Sequence, residues 1–325
     1  MTNNKTPASS RKHFKPPGKH LTKSTIFILV LLLTNILTFV FLLQKTTQNS
    51  ADAYPYIDIA RNYIPQEHFI VNIQPLREQL NKIVQEKGAD TISIYFEFLN
   101  TGANIQINNG ERFYPASLVK LPSAIVAMKK VEKGEWRMDS RLVLFDQDKD
   151  PRYGTLYQQP VGTSFSIEEL LRALLTQSDN TAHRILMRNL SESELDGLKE
   201  AIGLNELFDE KSEVSAKEYS RIFRALYNSS FLNRDGSQKI LKWLTETPFN
   251  TMLPSGLSAG TNFSHKIGED NVEKNYLDSG IVYLPNRPYL LTAMIKGHDQ
   301  AKANEIMKQI SRAAYEYVNG YEQKQ

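Results

Sequence analysis

The sequence predicts an α+β fold: an antiparallel five-stranded sheet flanked by helices, with a helical subdomain, preceded by one transmembrane helix. Residues 92–98 alternate between apolar and polar side chains, as a strand with one buried face does, and strand patterns return near the C-terminus. Between these two regions, apolar residues recur at helical spacing. Strands at both ends of a domain, with helices between them, can pair in one sheet beside a helical layer.

The transmembrane helix is predicted from residues 24–44, an uncharged and mostly apolar run of 21 residues that is long enough to cross a bilayer. Six of the 39 basic side chains precede this run and no acidic side chain does, so the positive-inside rule places the N-terminus in the cytoplasm. A cleaved signal peptide is the alternative, because Ala51-Asp52-Ala53 resembles a cleavage site. The run is longer than the about 7–15 residues of a signal core. We therefore predict a cytoplasmic basic tail at 1–23, an anchor at 24–44, a linker at 45–68 and a folded domain at 69–322.

The order of the other elements follows from caps, stops and periodicity. Capping boxes at Ser166 with Glu169 and at Ser215 with Glu218 begin two helices, and Gly320 ends the last one. The predicted helices are 71–86, 117–134, 166–177, 181–190, 215–226, 240–244 and 303–320. The predicted strands are 91–99, 103–108, 263–269, 276–284 and 289–295.

The composition excludes several classes of site. Beyond the basic tail, acidic residues outnumber basic ones, which leaves no basic surface for nucleic acid on the folded part. Cysteine is absent, so disulfides, cysteine nucleophiles and thiolate metal sites are excluded. The six histidines show no metal-ligand spacing. We therefore expect no metal and no organic cofactor.

The aspartates 146, 148 and 150 match the first ligands of a calcium-binding loop. Pro151 and Tyr157 occupy the positions of the loop's glycine and glutamate, so we interpret the segment as a solvated loop.

Ser117 and Lys120 are the strongest candidates for chemistry. They are three residues apart at the start of a predicted helix, so their side chains can touch. A serine hydroxyl becomes a good nucleophile when a neighbouring base takes its proton, and a lysine can be that base if its pKa is lowered. Pro122 fits this placement, because proline is tolerated in the first turn of a helix.

Two further motifs follow: Ser178-Asp179-Asn180 on a loop between helices and Lys266-Ile267-Gly268 on a strand near the C-terminus. With Ser117 and Lys120, this order resembles the S-x-x-K, S-D-N and K-T-G set of penicillin-recognising serine hydrolases, and is most similar to the class A β-lactamase family. The resemblance covers about residues 70–320 and implies a β-lactamase/transpeptidase-like fold.

The resemblance also implies roles for individual residues. Ser117 would attack a carbonyl, Lys120 would be its base or proton relay, and Ser178 would pass a proton to the leaving nitrogen. Substrate contacts are implied for Asn180, Lys266 and Gly268. The backbone N–H groups of Ser117 and Glu269 would form the oxyanion hole.

The sequence departs from the family pattern where class A enzymes carry the glutamate that removes the acyl group. The only E-x-x-x-N match is Glu246 with Asn250, which lies too late in the chain. The shortened segment 204–214 contains Glu206, Glu210 and Glu213, which we interpret as exposed loop acids.

A second departure lies at the third motif, where Ile267 replaces the usual threonine or serine and removes a hydroxyl that helps to bind a substrate carboxylate. Glu269 and Asp270 add negative charge nearby. We therefore expect Ser117 to be acylated, with impaired turnover of anionic penicillins.

The leading hypothesis is a membrane-anchored, extracytoplasmic serine hydrolase that acts on β-lactams or related acyl-D-alanyl amides, in a bacterial envelope with peptidoglycan nearby. A peptidoglycan D,D-peptidase with slow deacylation is the alternative. A non-catalytic cell-wall scaffold is the third hypothesis, and it gives no physical reason to keep all five polar residues of the three motifs.

Overall fold

A computed structural model describes residues 23–57, 69–70, 72–88, 91–204, 206–208 and 212–321. The chain divides between Ala53 and Tyr54 into two compact units, which are described separately.

The first unit contains helix α1, Lys23–Ala53. The helix continues through residues 45–53, which were predicted to be irregular, because no proline or glycine interrupts it after Lys23. Its large apolar side chains between Ile26 and Phe41 are each 44–66% exposed. Across the part of the chain that was described, no helix reaches the combined length and apolar character needed to span a membrane. The transmembrane anchor predicted at 24–44 is therefore unconfirmed.

The second unit is an α+β domain, as predicted. Its strands are β1 (Ile92–Phe98), β2 (Ala103–Ile107), β3 (Arg141–Val143), β4 (Ser164–Ser166), β5 (Asn262–Asp270), β6 (Asn275–Tyr283) and β7 (Tyr289–Lys296). Its α-helices are α2 (Gln74–Lys87), α3 (Lys120–Glu132), α4 (Ile167–Thr176), α5 (Asn180–Arg188), α6 (Glu192–Ile202), α7 (Ala216–Tyr227), α8 (Arg234–Thr245) and α9 (Gln300–Asn319).

Five strands form one antiparallel sheet in the order β2-β1-β7-β6-β5, which confirms the predicted pairing of the two ends of the domain. The short pair β3 and β4 and the helix α6 are not among the elements predicted from the sequence. A capping box of Ser191 with Glu194 begins α6 and is a signal that could have located it.

Helices cover both faces of the sheet. One apolar cluster joins the sheet to α2 and α9, and the other joins it to the helical layer of α3, α4, α5, α7 and α8. The prediction that β1 is half-buried is therefore wrong, since all seven of its residues are buried. Its polar face meets α7, where Glu97 pairs with Arg224 and accepts a hydrogen bond from Tyr95.

The predicted linker is also shorter than expected at its C-terminal end. Tyr54 donates a hydrogen bond to Asp235 of α8 (2.7 Å), and the backbone N–H of Tyr56 donates to Gln238 (3.1 Å). Ile57 is buried against the domain core. Residues 54–57 thus belong to the folded domain, and residues 58–68 lie outside the described residues.

Helix α3 occupies the centre of the helical layer, and every residue from Lys120 to Met128 is buried. The short 3₁₀ helix Ala116–Val119 leads directly into it. Tyr219 of α7 is fully buried and donates a hydrogen bond to the carbonyl of Leu118 (2.9 Å). This bond ties the segment that carries Ser117 to the helical layer.

We expect Tyr219→Phe to lower the free energy of unfolding by about 1 kcal/mol, because the carbonyl of Leu118 would lose the buried Tyr219 hydroxyl as a donor. Tyr289→Phe is the matched control, since its buried hydroxyl has no hydrogen-bond partner among the described residues and its loss is expected to cost nothing. Urea denaturation of both variants measures the difference. Equal destabilisation would contradict the assignment.

Candidate active site

Ser117 lies where the 3₁₀ helix Ala116–Val119 packs against β5, between the sheet and the helical layer. We call the half-buried region around Ser117 and Lys120 the cleft. Ala116 adopts a left-handed conformation (φ 46°), and the 3₁₀ helix begins at that residue. Ser117 is half-buried, and Lys120 follows as the first residue of α3. Pro122 lies in the first turn of α3, where a proline is tolerated, as predicted.

The amine of Lys120 is the centre of the site. Its Nζ lies 3.0 Å from the Oγ atoms of both Ser117 and Ser178, and it donates to the Ser178 carbonyl and to Asn180 Oδ1, each at 2.5 Å. Burial lowers the pKa of Lys120 to about 8, although the nearby charges of Asp179 and Asp150 oppose the shift. A lysine with this pKa is partly neutral near physiological pH and can accept a proton from a serine.

Ser178 lies on the loop between α4 and α5 in a left-handed conformation (φ 55°), which costs a residue other than glycine about 1 kcal/mol or more. This conformation turns both its carbonyl and its hydroxyl toward Lys120. Asp179 holds the loop in place. It caps α5 through the N–H of Ala182 and accepts from the N–H groups of Thr155 and Leu156.

Lys266, on the sheet, extends the series of hydrogen bonds that joins Ser117, Lys120 and Ser178. It is buried on β5, and its Nζ donates to Ser178 Oγ (3.0 Å) and to the Ile267 carbonyl (3.1 Å). Burial, and then the charge of Lys120, lower the pKa of Lys266. The chain therefore runs from Ser117 Oγ through Lys120 Nζ and Ser178 Oγ to Lys266 Nζ.

Gly268 allows β5 to approach the helix that carries Ser117. A Cβ atom at this position would lie 2.6 Å from the carbonyl oxygen of Pro115 and 3.0 Å from Cγ of Leu118. Only a residue without a side chain fits such a contact. Ile267, by contrast, is buried in the apolar cluster that joins the sheet to α2 and α9.

Asn180 is held from both ends of its amide. Its Oδ1 accepts from Lys120, and its Nδ2 donates to Asp150 (3.2 Å). Asp150 is 3% exposed and also pairs with Arg152 (2.6 Å) and Arg184 (2.8 Å), and the hydrogen bond from Arg152 is the main reason that its pKa is lowered.

The prediction of a solvated loop at the aspartates 146, 148 and 150 is therefore wrong for two of the three. Asp148 is also buried, and it pairs with Arg188 (3.0 Å). Arg188 neutralises Asp148, and Arg184 together with the neighbouring Arg152 neutralises Asp150. Arg184 and Arg188 lie on α5, far from these aspartates in the sequence, so local patterns do not reveal their ion pairs. Across the described ranges, no group of three or more His, Cys, Asp or Glu residues could hold a metal ion.

Tyr153 and Glu269 contact each other across the cleft, beside Lys120. The Tyr153 hydroxyl donates a short hydrogen bond to Glu269 Oε1, and the Tyr153 ring centroid lies 5.8 Å from Lys120 Nζ. Burial and the neighbouring Glu269 raise the pKa of the Tyr153 phenol. The backbone of Glu269 was predicted to belong to the site, whereas Tyr153 was not, because no sequence motif marks it.

Glu206 and Glu213 of the shortened segment, and Glu218 of α7, form ion pairs with Arg112 and not with groups of the candidate site. Glu206, Glu213 and Glu218 surround Arg112, with N···O distances of 2.5, 3.9 and 3.1 Å. Glu246 pairs with Arg172 (2.7 Å) on the surface, and Glu210 lies outside the described residues. Within the described part of the chain, no glutamate forms a hydrogen bond with Ser117, Lys120 or Ser178.

His183 is half-buried on α5, and its Nε2 lies 3.1 Å from Ser123 Oγ of α3. Burial lowers the pKa of His183 to about 3, so the ring is neutral at physiological pH. It contributes to packing beneath the site.

Comparisons with known proteins agree with this geometry. The model of the "Beta-lactamase enzyme family" matches residues 75–318. The β-lactamase VEB-1 of Pseudomonas aeruginosa is 20% identical over 67% of this chain and 82% of its own length. The solved structure of PBP-A is 25% identical, with a TM-score of 0.71 over 77% of this chain and 97% of that one. A PBP-A variant solved as an acyl-enzyme complex with penicillin G is 25% identical over 77% of this chain and 98% of that one, with a TM-score of 0.70. The chain therefore belongs to the β-lactamase enzyme family and is a serine hydrolase.

Proposed function

We propose that this domain hydrolyses β-lactams or related acyl-D-alanyl amides through an acyl-enzyme on Ser117, by a mechanism of the class A β-lactamase type. The observation that carries the proposal is the continuous chain of polar contacts from Ser117 through Lys120 and Ser178 to Lys266. Such a chain activates a serine and delivers a proton to a leaving group. A non-catalytic scaffold would have no physical need to bury two lysines in this way.

In the first step, neutral Lys120 takes the proton of Ser117 Oγ while that oxygen bonds to the substrate carbonyl carbon. The carbonyl oxygen becomes an oxyanion. When the carbon–nitrogen bond breaks, Ser178 gives its proton to the leaving nitrogen, and it regains one from the protonated Lys120, whose Nζ is 3.0 Å away. Lys266 holds the same Ser178 hydroxyl in position and supplies positive potential.

The oxyanion would be stabilised by the backbone N–H groups of Ser117 and Glu269, typically by a few kcal/mol for each donor. Ser117 lies in the first turn of a helix, where N–H groups lack partners within the helix. Glu269 lies on β5, which is an edge strand of the sheet and therefore has N–H groups that no neighbouring strand takes up.

A peptidoglycan D,D-peptidase of the penicillin-binding type is the second candidate. The engagement of Glu206, Glu213 and Glu218 with Arg112 favours it, because these carboxylates are not free to activate a deacylating water at Ser117. The penicillin G acyl-enzyme of a PBP-A variant, a structural neighbour of this chain, is consistent with a long-lived adduct here as well. Both candidates share acylation of Ser117 and differ in the rate of the second step.

Intact-mass spectrometry after addition of penicillin G tests acylation directly. We expect a mass increase equal to the whole penicillin, stable for minutes or longer, which disappears in Ser117→Ala. Ser123→Ala is the control, because this serine lies on α3, directly after the Ser117 segment, and its hydroxyl contacts Val119 and His183 instead.

Rapid loss of penicillin without a lasting adduct would indicate true β-lactamase turnover and contradict slow deacylation. Absence of both an adduct and turnover would contradict the proposed function.

The rate of acylation is expected to depend on pH through Lys120. Because the neutral amine is the base and its pKa is about 8, the rate should rise about tenfold per pH unit below pH 8 and level off above it. Lys120→Arg keeps a positive charge that cannot be lost, and it should reduce the rate by about 100-fold or more. A rate that does not change between pH 6 and 9 would contradict this assignment.

We further propose that residues 24–44 anchor the protein in the bacterial cell membrane, with the catalytic domain outside. The uncharged run, the basic residues before it and the exposed apolar side chains of α1 support this proposal. We expect the full chain to remain with the membrane fraction after washing at high salt and high pH, and the fragment from Tyr54 onward to be released. Release of the full chain by the same wash would contradict an anchor.

A further inference from the structure

The cleft has two walls that meet over Lys120. On the helical side, the backbone carbonyl of Tyr153 accepts from the N–H of Asn180 (3.0 Å), so Tyr153 is attached to the loop that carries Ser178. On the sheet side, Glu269 directly follows Gly268, which packs against the segment of Ser117. Side chains that join Tyr153 to Glu269 therefore join the two walls.

The hydrogen bond between the Tyr153 hydroxyl and Glu269 Oε1 forms this connection, which we call the Tyr153–Glu269 bridge. Gln300 of α9 supports it by donating to the other carboxylate oxygen, Oε2 (3.1 Å). Both bridge residues are only half-buried, so solvent and substrate can reach them. A substrate that enters the cleft must displace the bridge or fit beneath it.

The charge of Glu269 conflicts with the binding of an anion. Lys266 is the cation implied to attract a substrate carboxylate, and it is close enough to Glu269 for that charge to raise its pKa against the lowering effect of burial. The carboxylate of Glu269 thus cancels part of the positive potential in the cleft. A substrate that bears a hydrogen-bond donor at this place would instead replace the Tyr153 hydroxyl as the partner of Glu269.

We infer that the Tyr153–Glu269 bridge determines specificity, admitting acyl donors that present an ammonium group or another N–H donor beside the scissile amide and disfavouring those with a carboxylate there. This inference rests on the proposed acylation of Ser117 and adds the substrate class. Glu269 selects substrates by charge, while the Tyr153 hydroxyl opposes, whatever the charge, every substrate that has to displace the bridge.

Three compounds with the same penicillin ring system separate these effects: penicillin G, its uncharged methyl ester and its 2-aminoethyl amide, which carries an ammonium group. Rates of Ser117 acylation are measured with the full chain and with three variants. Glu269→Gln keeps an acceptor for Tyr153 and removes the charge. Tyr153→Phe keeps the ring and removes the bridge.

Asp270→Asn is the matched control. Asp270 is the next acidic residue along β5, but its Oδ1 accepts from the N–H groups of Val272 and Glu273 in the turn, which an asparagine can also do. It should leave the order of the three compounds unchanged.

We expect the unaltered protein to react fastest with the ammonium compound and slowest with penicillin G. Glu269→Gln should raise the rate with penicillin G by about tenfold or more and make the three rates similar. Tyr153→Phe should raise all three rates by a similar factor. Selection by Glu269 is overturned if penicillin G is preferred, or if Glu269→Gln leaves the order of rates intact.

Equilibrium binding to Ser117→Ala, with and without Glu269→Gln, separates this inference from the proposed function. If no compound acylates Ser117 in any variant, the proposed function fails, and the dissociation constants still report the charge preference. A preference for the ammonium compound that Glu269→Gln removes supports the inference. Equal dissociation constants for the three compounds, or no binding of any of them, overturn it.

Discussion

A lysine amine is difficult to bury, because the charged form loses its hydration. In this protein the amine of Lys120 is surrounded by four oxygen atoms, from Ser117, Ser178 and Asn180, and its pKa is lowered to about 8. The same contacts that make burial possible also bring the candidate nucleophile and proton donor to the base. The need of the buried Lys120 amine for oxygen partners therefore determines how the groups of the cleft are arranged.

The scaffold holds these groups in place from two sides. Helix α3 is buried along most of its length and fixes Lys120, while Asp179 fixes the loop that carries Ser178. On the sheet side, the absence of a side chain at Gly268 lets β5 come within contact of the Ser117 segment. Bringing these groups together requires Ala116 and Ser178 to adopt left-handed backbone conformations, which are unfavourable for residues other than glycine. The surrounding contacts offset this conformational free energy.

Arginine side chains neutralise most of the carboxylates around the site. Asp150 is neutralised by two arginines, and its Oδ1 also accepts a hydrogen bond from Asn180 Nδ2, which orients the amide of Asn180. Glu206, Glu213 and Glu218 are engaged with Arg112, whereas Glu269 faces the cleft through Tyr153. The site therefore has Lys120 as a base for acylation, while Glu206, Glu213 and Glu218 are paired with Arg112 and Glu269 accepts hydrogen bonds from Tyr153 and Gln300.

The sequence by itself determined the fold class, the five main strands and the choice of candidate site residues: Ser117, Lys120, Ser178, Asn180 and Lys266. These features depend on local periodicity, on caps and on short motifs, all of which involve residues close together in the chain. Only the tertiary structure decided that both faces of β1 are buried, that Asp148 and Asp150 lie in ion pairs, and that Tyr153 meets Glu269. The burial of β1 and the contact between Tyr153 and Glu269 depend on the packing of the helical layer against the sheet, and the ion pairs of Asp148 and Asp150 with Arg188 and Arg184 depend on the packing of their loop against α5. All of these contacts join residues that are far apart in the sequence.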